Sequence, residues 1–375
     1  MASPRNTVQA RLRDQVAAQR LEFDPAQAEA AQRLDTLNAA LTRSSKSLSA
    51  VLHAHLPWLP APARAAPRGL YLWGGVGRGK TLLMDWFYES LRLPQRERTH
   101  FYRFMRQVHA ELRAAASREA PLEAVAQQLA QSARVICLDE FFVADIADAM
   151  ILAGLFEGLY RRGVTLVATS NAPPDELYKA GLQRQRFLPA IELIKSRMDV
   201  VHLDGGVDYR LRQLEQAPTY LDSRHADSTG QLRQRFAALA GDCAAGPSLL
   251  TIEDRSITAL ATGVGAAWFE FSELCTGPRS PNDYIELARM FHTIFIANIP
   301  QFTSADEDAA RRFIAAIDEF YDRSVKLVVS AAAPPAALYH GERLQFEFQR
   351  AASRLVEMQT QKYLAAEHRA YNSPP

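Results

Sequence analysis

The stretch GGVGRGKT, Gly74 to Thr81, follows directly on the short apolar run GLYLW. It matches G-x-x-x-x-G-K-[ST], and the order strand, glycine-rich turn, helix leaves few folds open. Glycines let successive backbone N–H groups turn inward on phosphate oxygens, where a side chain would block the approach. The helix opening near Lys80 presents the positive end of its dipole to the same anion. Lys80 neutralises the outer phosphate oxygens, and the Thr81 hydroxyl is suited to hold Mg²⁺. The loop Gly74, Gly75, Val76, Gly77, Arg78, Gly79, Lys80 and Thr81 is therefore the expected phosphate cradle.

The rest of the chain fits that reading. Residues 24–45 read as a helix, with Asp24 as N-cap and Pro25 in its first position. LPAPARAAP, 59–67, reads as a linker. GLYLW, RVICLDE, VTLVATSN and DVVHLD read as strands, and THFYRFM as a β-rich run. Between them GKTLLMDWFYESL, QVHAELRAAA, IADAMILAGLFEGLYRRG and FLPAIELIKSRM read as helices. Strands alternating with helices imply a parallel sheet flanked by helices. From Gly205 the pattern changes. TIEDRSITALATGVGAAWFEFSEL has short alternating runs broken by Gly, which predicts a small antiparallel β insert before a helix-rich tail. The expected organisation is an N-terminal helical arm and linker (1–58), a nucleotide-binding core (59–205), the β insert (206–275), and a C-terminal α/β and helical region with a lid-like helix (276–375).

One internal echo stands out. GVTLVATSNAPPDELY, 163–178, aligns with SVKLVVSAAAPPAALY, 324–339, and VICLDEFF resembles TIFIANIP. In the second copy the acidic pair becomes Ala297 and Asn298, and Ser170 and Asn171 become Ala331 and Ala332. This predicts a structural copy without chemistry.

Further site candidates follow from position. VICLDE, 135–140, is a buried strand ending in two acids, and acids there face the crevice where open α/β sheets bind ligands. Asp139 is the expected Mg²⁺ ligand, and Glu140 the group that polarises the attacking water. Asn171, ending the next strand, either hydrogen-bonds that water or the γ-phosphate, or simply turns the chain. Arg184 and Arg186 in GLQRQRFLPAI either stabilise charge on a transferring phosphoryl group in a neighbouring subunit or form surface ion pairs. Arg350 and Arg354 share one helix face, from which one reaches back to the nucleotide or both stay solvated.

Composition narrows the class. The net charge of +1 over 375 residues gives no global footprint for nucleic acid or an anionic membrane. Three cysteines without CxxC spacing argue against a zinc site or a disulfide framework and fit a reducing compartment. No apolar run is long enough to span a bilayer. The start carries Arg5, Arg11 and Arg13 before Asp14, with no apolar core of a secretory signal; it reads as a basic helical arm or a weak match to a transit peptide.

The segments GLYLWGGVGRGKTLLMDWFY, FYRFMRQVH, VICLDEFFVADIADAMIL, TLVATSNAPPDELYKAGLQRQRFLPAIELIK, ELCTGPRSPNDYIELARMFHTIFI and RLQFEFQRAASRLVEMQTQKYL together resemble an AAA+ ATPase. More narrowly they resemble the ZapE family, bacterial cell-division ATPases with mitochondrial relatives, from about Asp24 to the final helix. The resemblance implies a P-loop NTPase of AAA+ type that binds ATP with Mg²⁺ and hydrolyses it as an ATP-dependent homo-oligomer. It implies a cytoplasmic protein, peripheral at the inner membrane or division site, that acts on FtsZ or other division-site proteins. The mitochondrial branch implies membrane protein quality control instead, which would suit an ATP-gated adaptor. A loader of nucleic-acid machinery shares the core, but the balanced charge does not favour it. Carried over, Gly74 to Thr81 become Walker A, Asp139 and Glu140 Walker B, and Asn171 sensor 1. Arg184 and Arg186 become the finger candidates and Arg354 a sensor 2 candidate. No protease domain or HExxH follows the ATPase segments.

Overall fold

A computed structural model describes residues 7–19, 21–45, 66–75, 77–143, 145–179, 181–204, 214, 218–225, 227–240, 246–252, 255–263, 265–366 and 368–369. Val76, Arg5, Cys243 and the linker up to residue 65 lie outside the described residues. The chain forms two compact units, residues 1–207 and 208–375.

In the first unit α1 (Val8–Ala17) precedes α2 (Pro25–Ser45). Asp24 Oδ1 accepts from the Ala26 amide at 2.8 Å, so the expected N-cap is in place. Then come β1 (Gly69–Trp73), α3 (Lys80–Ser90), β2 (Arg96–His100), α4 (Phe101–Ala114) and α5 (Pro121–Ser132). They are followed by β3 (Val135–Asp139), α6 (Ile146–Arg161), β4 (Thr165–Ser170), α7 (Leu188–Arg197) and β5 (Met198–His202). The sheet runs β2-β3-β4-β1-β5, all parallel. Successive side chains of a strand point to opposite faces. Tyr71 accordingly packs with Phe104, Phe141 and Phe156, while Leu70 and Leu72 pack with Leu34, Met84 and Phe87. Burial on both faces explains why the central strands read as unbroken apolar runs.

The β-rich reading of THFYRFM is corrected. The strand is the polar Arg96–His100, and Phe101 already begins α4. Phe101, Phe104, Met105 and Val108 recur at helical spacing and are all buried. Their aromatic character suggested a strand, but the period decides. β2 lies at the sheet edge and is half-buried throughout, so it lacks an apolar signature.

The second unit comprises β6 (Tyr220–Asp222), α8 (Ser228–Ala240), β7 (Ser248–Ile252), β8 (Arg255–Ala259), β9 (Ala261–Gly263), β10 (Ala266–Glu270), α9 (Phe271–Cys275) and α10 (Pro281–Met290). It continues with β11 (Thr293–Ile299), α11 (Glu307–Asp322), β12 (Lys326–Ala331), α12 (Gln345–Glu357) and α13 (Gln361–Ala365). β7–β8 and β9–β10 are the antiparallel pairs the Gly-punctuated sequence suggested. β6 and β10, however, join β11 and β12 in one sheet of order β6-β12-β11-β10-β9, pairing parallel with their neighbours β12 and β11. The largely buried run AAWFE of β10 is what a strand covered on both faces looks like, not an alternating one.

The internal echo extends to four strands of this unit. Order β10-β11-β12-β6 repeats β2-β3-β4-β1. Glu140 and Asn298, the residues just past Asp139 and Ala297, both have left-handed backbone, φ 53° and 59°. The Glu140 amide donates to Thr169 Oγ1 at 3.1 Å, and the Asn298 amide to Ser330 Oγ at 3.0 Å. Tyr71 Oη donates to the Ala172 carbonyl, and Tyr220 Oη to that of Ala333. Between β6 and α8 the chain reads SRHAD, without the loop's glycines or lysine.

Candidate functional site

β1 delivers the loop and β3 the acidic pair to the same end of the first sheet, with only β4 between them. Parallel strands lie about 4.8 Å apart, so the two groups face each other across roughly 10 Å. The backbone stitches these tips together. The Gly74 amide donates to the Ser170 carbonyl at 3.3 Å, and the Phe141 amide to that of Thr169 at 2.7 Å.

Two loop glycines are required by geometry. Gly74 has φ 150°, and a Cβ there would sit 2.3 Å from the Leu203 carbonyl oxygen. Gly79 has φ 80°, and its Cβ would meet Gln27 Nε2 at 3.0 Å. Lys80 is buried, and its Nζ donates to the carbonyls of Gly74 and Gly75 at 2.7 Å each. The ammonium is thereby held over the loop, where phosphate oxygens compete for it. Thr81 stands beside it in the first turn of α3.

Asp139 is buried at the tip of β3. Its Oδ2 accepts from Arg98 Nε at 2.7 Å, and its Oδ1 from the Thr169 hydroxyl at 3.4 Å. Arg98 also ion-pairs with Asp85 of α3, so one guanidinium ties the loop's helix to the acidic strand. Burial pushes the Asp85 carboxyl up to about 6, against the pull of Arg98. Burial alone would lower the Arg98 pKa, but Asp139 and Asp85 outweigh it and hold the guanidinium more firmly charged than usual. The long contact at Asp139 Oδ1 leaves lone pairs for a hard cation. Mg²⁺ takes one or two carboxylate oxygens together with substrate phosphates and water, so the donor set fits that ion. No group of three or more His, Cys, Asp or Glu among the described residues is arranged to hold a metal by itself.

Asn171 is exposed one residue beyond β4, next to the strand end that receives the Gly74 amide. Arg184 and Arg186 form one 3₁₀ turn before α7. Arg184 bonds the Asp175 carbonyl and Arg186 is exposed; no hydrogen bond or ion pair joins either to Lys80, Asp139 or Glu140 among the described residues. Arg354 belongs to the second unit, where it pairs with Asp318 at 2.6 Å and Asp322 at 3.3 Å and lies over the Tyr321 ring. Arg350 shares Asp318.

Sequence reasoning missed Arg98, Asp85, Thr169 and Gln27. Arg98 and Asp85 have no local signal, because only the fold buries Asp85 and brings it and Asp139 to one guanidinium. Gln27 has none: its Nε2 donates to the Arg78 carbonyl at 3.2 Å from a helix 51 residues upstream.

The model of the AFG1-like ATPase family matches residues 6–367. The chain is 52% identical over 303 residues to the Cell division protein ZapE of Escherichia coli (strain K12), covering 81% of each. It is 37% identical over 343 residues to Lactation elevated protein 1 homolog B of Danio rerio, covering 79% of this chain and 68% of that one. Among solved structures, AMPPCP-bound DnaA from Aquifex aeolicus matches 58% of this chain and 55% of its own, with a TM-score of 0.35 and 12% identity. Among the described residues no helix is long and apolar enough to cross a membrane.

Proposed function

We propose, from the premise that the chain belongs to the AFG1-like ATPase family, that the ATP it hydrolyses drives remodelling of a protein assembly in cell division, with the FtsZ ring as target. The observation that carries the chemistry is that the glycine loop and the pair Asp139 and Glu140 stand at the same end of one sheet, a single strand apart, cross-linked through Arg98. In this reading the loop amides and Lys80 bind the phosphates, and Lys80 leaves its carbonyl partners to do so. Thr81 and Asp139 hold Mg²⁺, which supplies charge neutralisation at the phosphates when bound. Glu140 accepts a proton from the attacking water, and Asn171 orients that water. Arg184, which bonds the Asp175 carbonyl of the preceding turn, and the exposed Arg186 act on the nucleotide of a neighbouring copy in an ATP-dependent homo-oligomer. Arg354 is assigned the sensor 2 role; it has to exchange its aspartate partners to reach a phosphate.

The partner-binding surface is assigned to the N-terminal arm (1–58) and to 206–275, outside the core (59–205), with 276–375 as the lid-bearing region. The site of action is cytoplasmic, at the inner face of the membrane. Two measurements test this. Phosphate release by wild type and by Glu140→Gln tests the water-activating role, which is lost if turnover is equal. Sedimentation of FtsZ polymers with ATP and the purified protein tests the target: unchanged polymer in the presence of turnover overturns FtsZ and leaves the ATPase standing.

A further inference from the structure

The turn that carries Arg184 and Arg186 holds apolar side chains out in water. Leu182 is 71% and Leu188 42% exposed, so one leucine stands on either side of the two arginines. An exposed leucine by itself is ordinary. This turn, however, is held in a conformation its residues disfavour: Tyr178 and Gln183 have left-handed φ of 53° and 56°. Bulky residues keep such backbone only where their surroundings over-determine it. Here the buried Tyr178 ring packs edge-on against Phe187 at 5.7 Å, and its hydroxyl donates to the Leu182 carbonyl at 3.0 Å. Gly181 lies against the same ring, where a Cβ would come within 2.2 Å of it.

The second unit supplies the comparison. Its matching turn keeps the tyrosine and the glycine: Gly341 lies against Tyr339, whose hydroxyl accepts from the Leu344 amide at 3.0 Å. Yet Tyr339 is not left-handed, the residue after the glycine is the charged Glu342, and Leu344 is buried. The tyrosine–glycine turn therefore forms without left-handed side chains and without a leucine in the place of Leu182. The exposed leucine accompanies the arginines.

A second copy of the chain is the occupant that fits. Leu182 stands two residues from Arg184, within about 7 Å along the chain. A guanidinium that reaches a neighbour's phosphates therefore brings this leucine to the edge of the same site. Among the described residues of the N-terminal arm, Phe23 is the large apolar side chain left exposed, at 68%. It precedes the first turn of α2, where Gln27 Nε2 donates to the Arg78 carbonyl of the phosphate loop. One half of the site thus carries an unpaired leucine and the other an unpaired phenyl ring.

We propose that Leu182 packs on Phe23 of the next copy and sets the register in which Arg184 and Arg186 reach that copy's nucleotide. The inference rests on the reading of these arginines as acting between copies, and names the contact that aligns them. The two residues belong to different patches, so the contact is head-to-tail and repeats around a closed ring.

Sedimentation velocity of the full chain with Mg²⁺ and a non-hydrolysable ATP analogue tests it. Leu182→Ala and Phe23→Ala are each expected to raise the concentration needed for assembly about 10-fold. Leu182→Glu and Phe23→Glu should each stay monomeric. Both positions are exposed, so the variants should fold, and their affinity for the analogue by titration calorimetry should match wild type. Mixed in equal amounts, the two glutamate variants share one sound contact: Leu182 of the Phe23 variant on Phe23 of the Leu182 variant. They should form dimers and nothing larger. Assembly of either glutamate variant alone overturns the proposal, as does a mixture that stays monomeric or grows past dimers. Weakened analogue binding overturns it too, since that marks a role inside the pocket. Wild type that binds the analogue yet stays monomeric removes the between-copy reading of the arginines, and the contact falls with it.

Discussion

Arg98 Nε lies 2.7 Å from Asp139 Oδ2, and the same guanidinium reaches Asp85 on the loop's helix. The expected metal ligand is thus aimed by a strand at the sheet edge.

Removing that guanidinium strands two buried carboxylates. Arg98→Ala is expected to lower folding stability by about 3 kcal/mol, because breaking a buried pair leaves uncompensated charge. Arg98→Lys keeps the charge but not the fork, and should fall between. Urea unfolding midpoints check both, and an alanine variant within 0.5 kcal/mol of wild type, roughly the ordinary surface range, contradicts the account.

Asp85 gives the stability a pH signature. Its folded value of about 6 lies above the ordinary 3.8 of the free side chain. The sign follows: its contribution is fully present below the unfolded value and is lost as pH rises through about 6. Asp85→Asn removes this loss. The variant should exceed wild type by ~2 kcal/mol at neutral pH, with the difference gone at acid pH. Unfolding series across this range for both proteins decide it.

The two glycines should not respond alike. A methyl at Gly74 meets a backbone oxygen that cannot move, whereas at Gly79 it meets the end of a side chain. Gly74→Ala is expected to cost about 3 kcal/mol and Gly79→Ala about 1 kcal/mol in stability. Gly79→Ala should still weaken nucleotide binding, since it displaces Gln27. Thermal unfolding and binding titrations separate the two effects.

Glu140→Asn imports the residue that stands at the matching place in the second unit. Asn accepts left-handed backbone more readily than Glu. Stability should hold or rise by up to ~1 kcal/mol, while ATP turnover falls by about 10²–10⁴. Turnover within twofold of wild type would remove Glu140 from the chemistry.

The second unit lacks the loop's glycines and lysine, and a bidentate Asp222–Arg224 pair occupies the corner after β6. Equilibrium dialysis should therefore find one nucleotide per chain for wild type, and far less than one for Lys80→Ala at the nucleotide concentration that saturates wild type. Two per chain would show that the copy has kept a pocket of its own.

Phosphate chemistry dictates residue types and spacing, so the loop and the strand-end acids could be located before any coordinates. Their helpers could not. Arg98 and Gln27 act through contacts across the fold, and nothing local distinguishes an arginine that aims Asp139 from one in solvent. FYRFM shows the other failure, in which aromatic composition outweighed a helical period. The sheet of the second unit was legible only where its sequence stayed close to the first, in β11 and β12; β6 is three residues long and lost its loop motif.

Asn298 bends as Glu140 does, yet it has no acid to aim. The turn is therefore a property of how this strand hands over to its successor, held by an amide-to-hydroxyl bond, and not tension loaded for hydrolysis. The same corner therefore forms whether or not a carboxylate stands on it, so a variant at either position keeps its backbone bend.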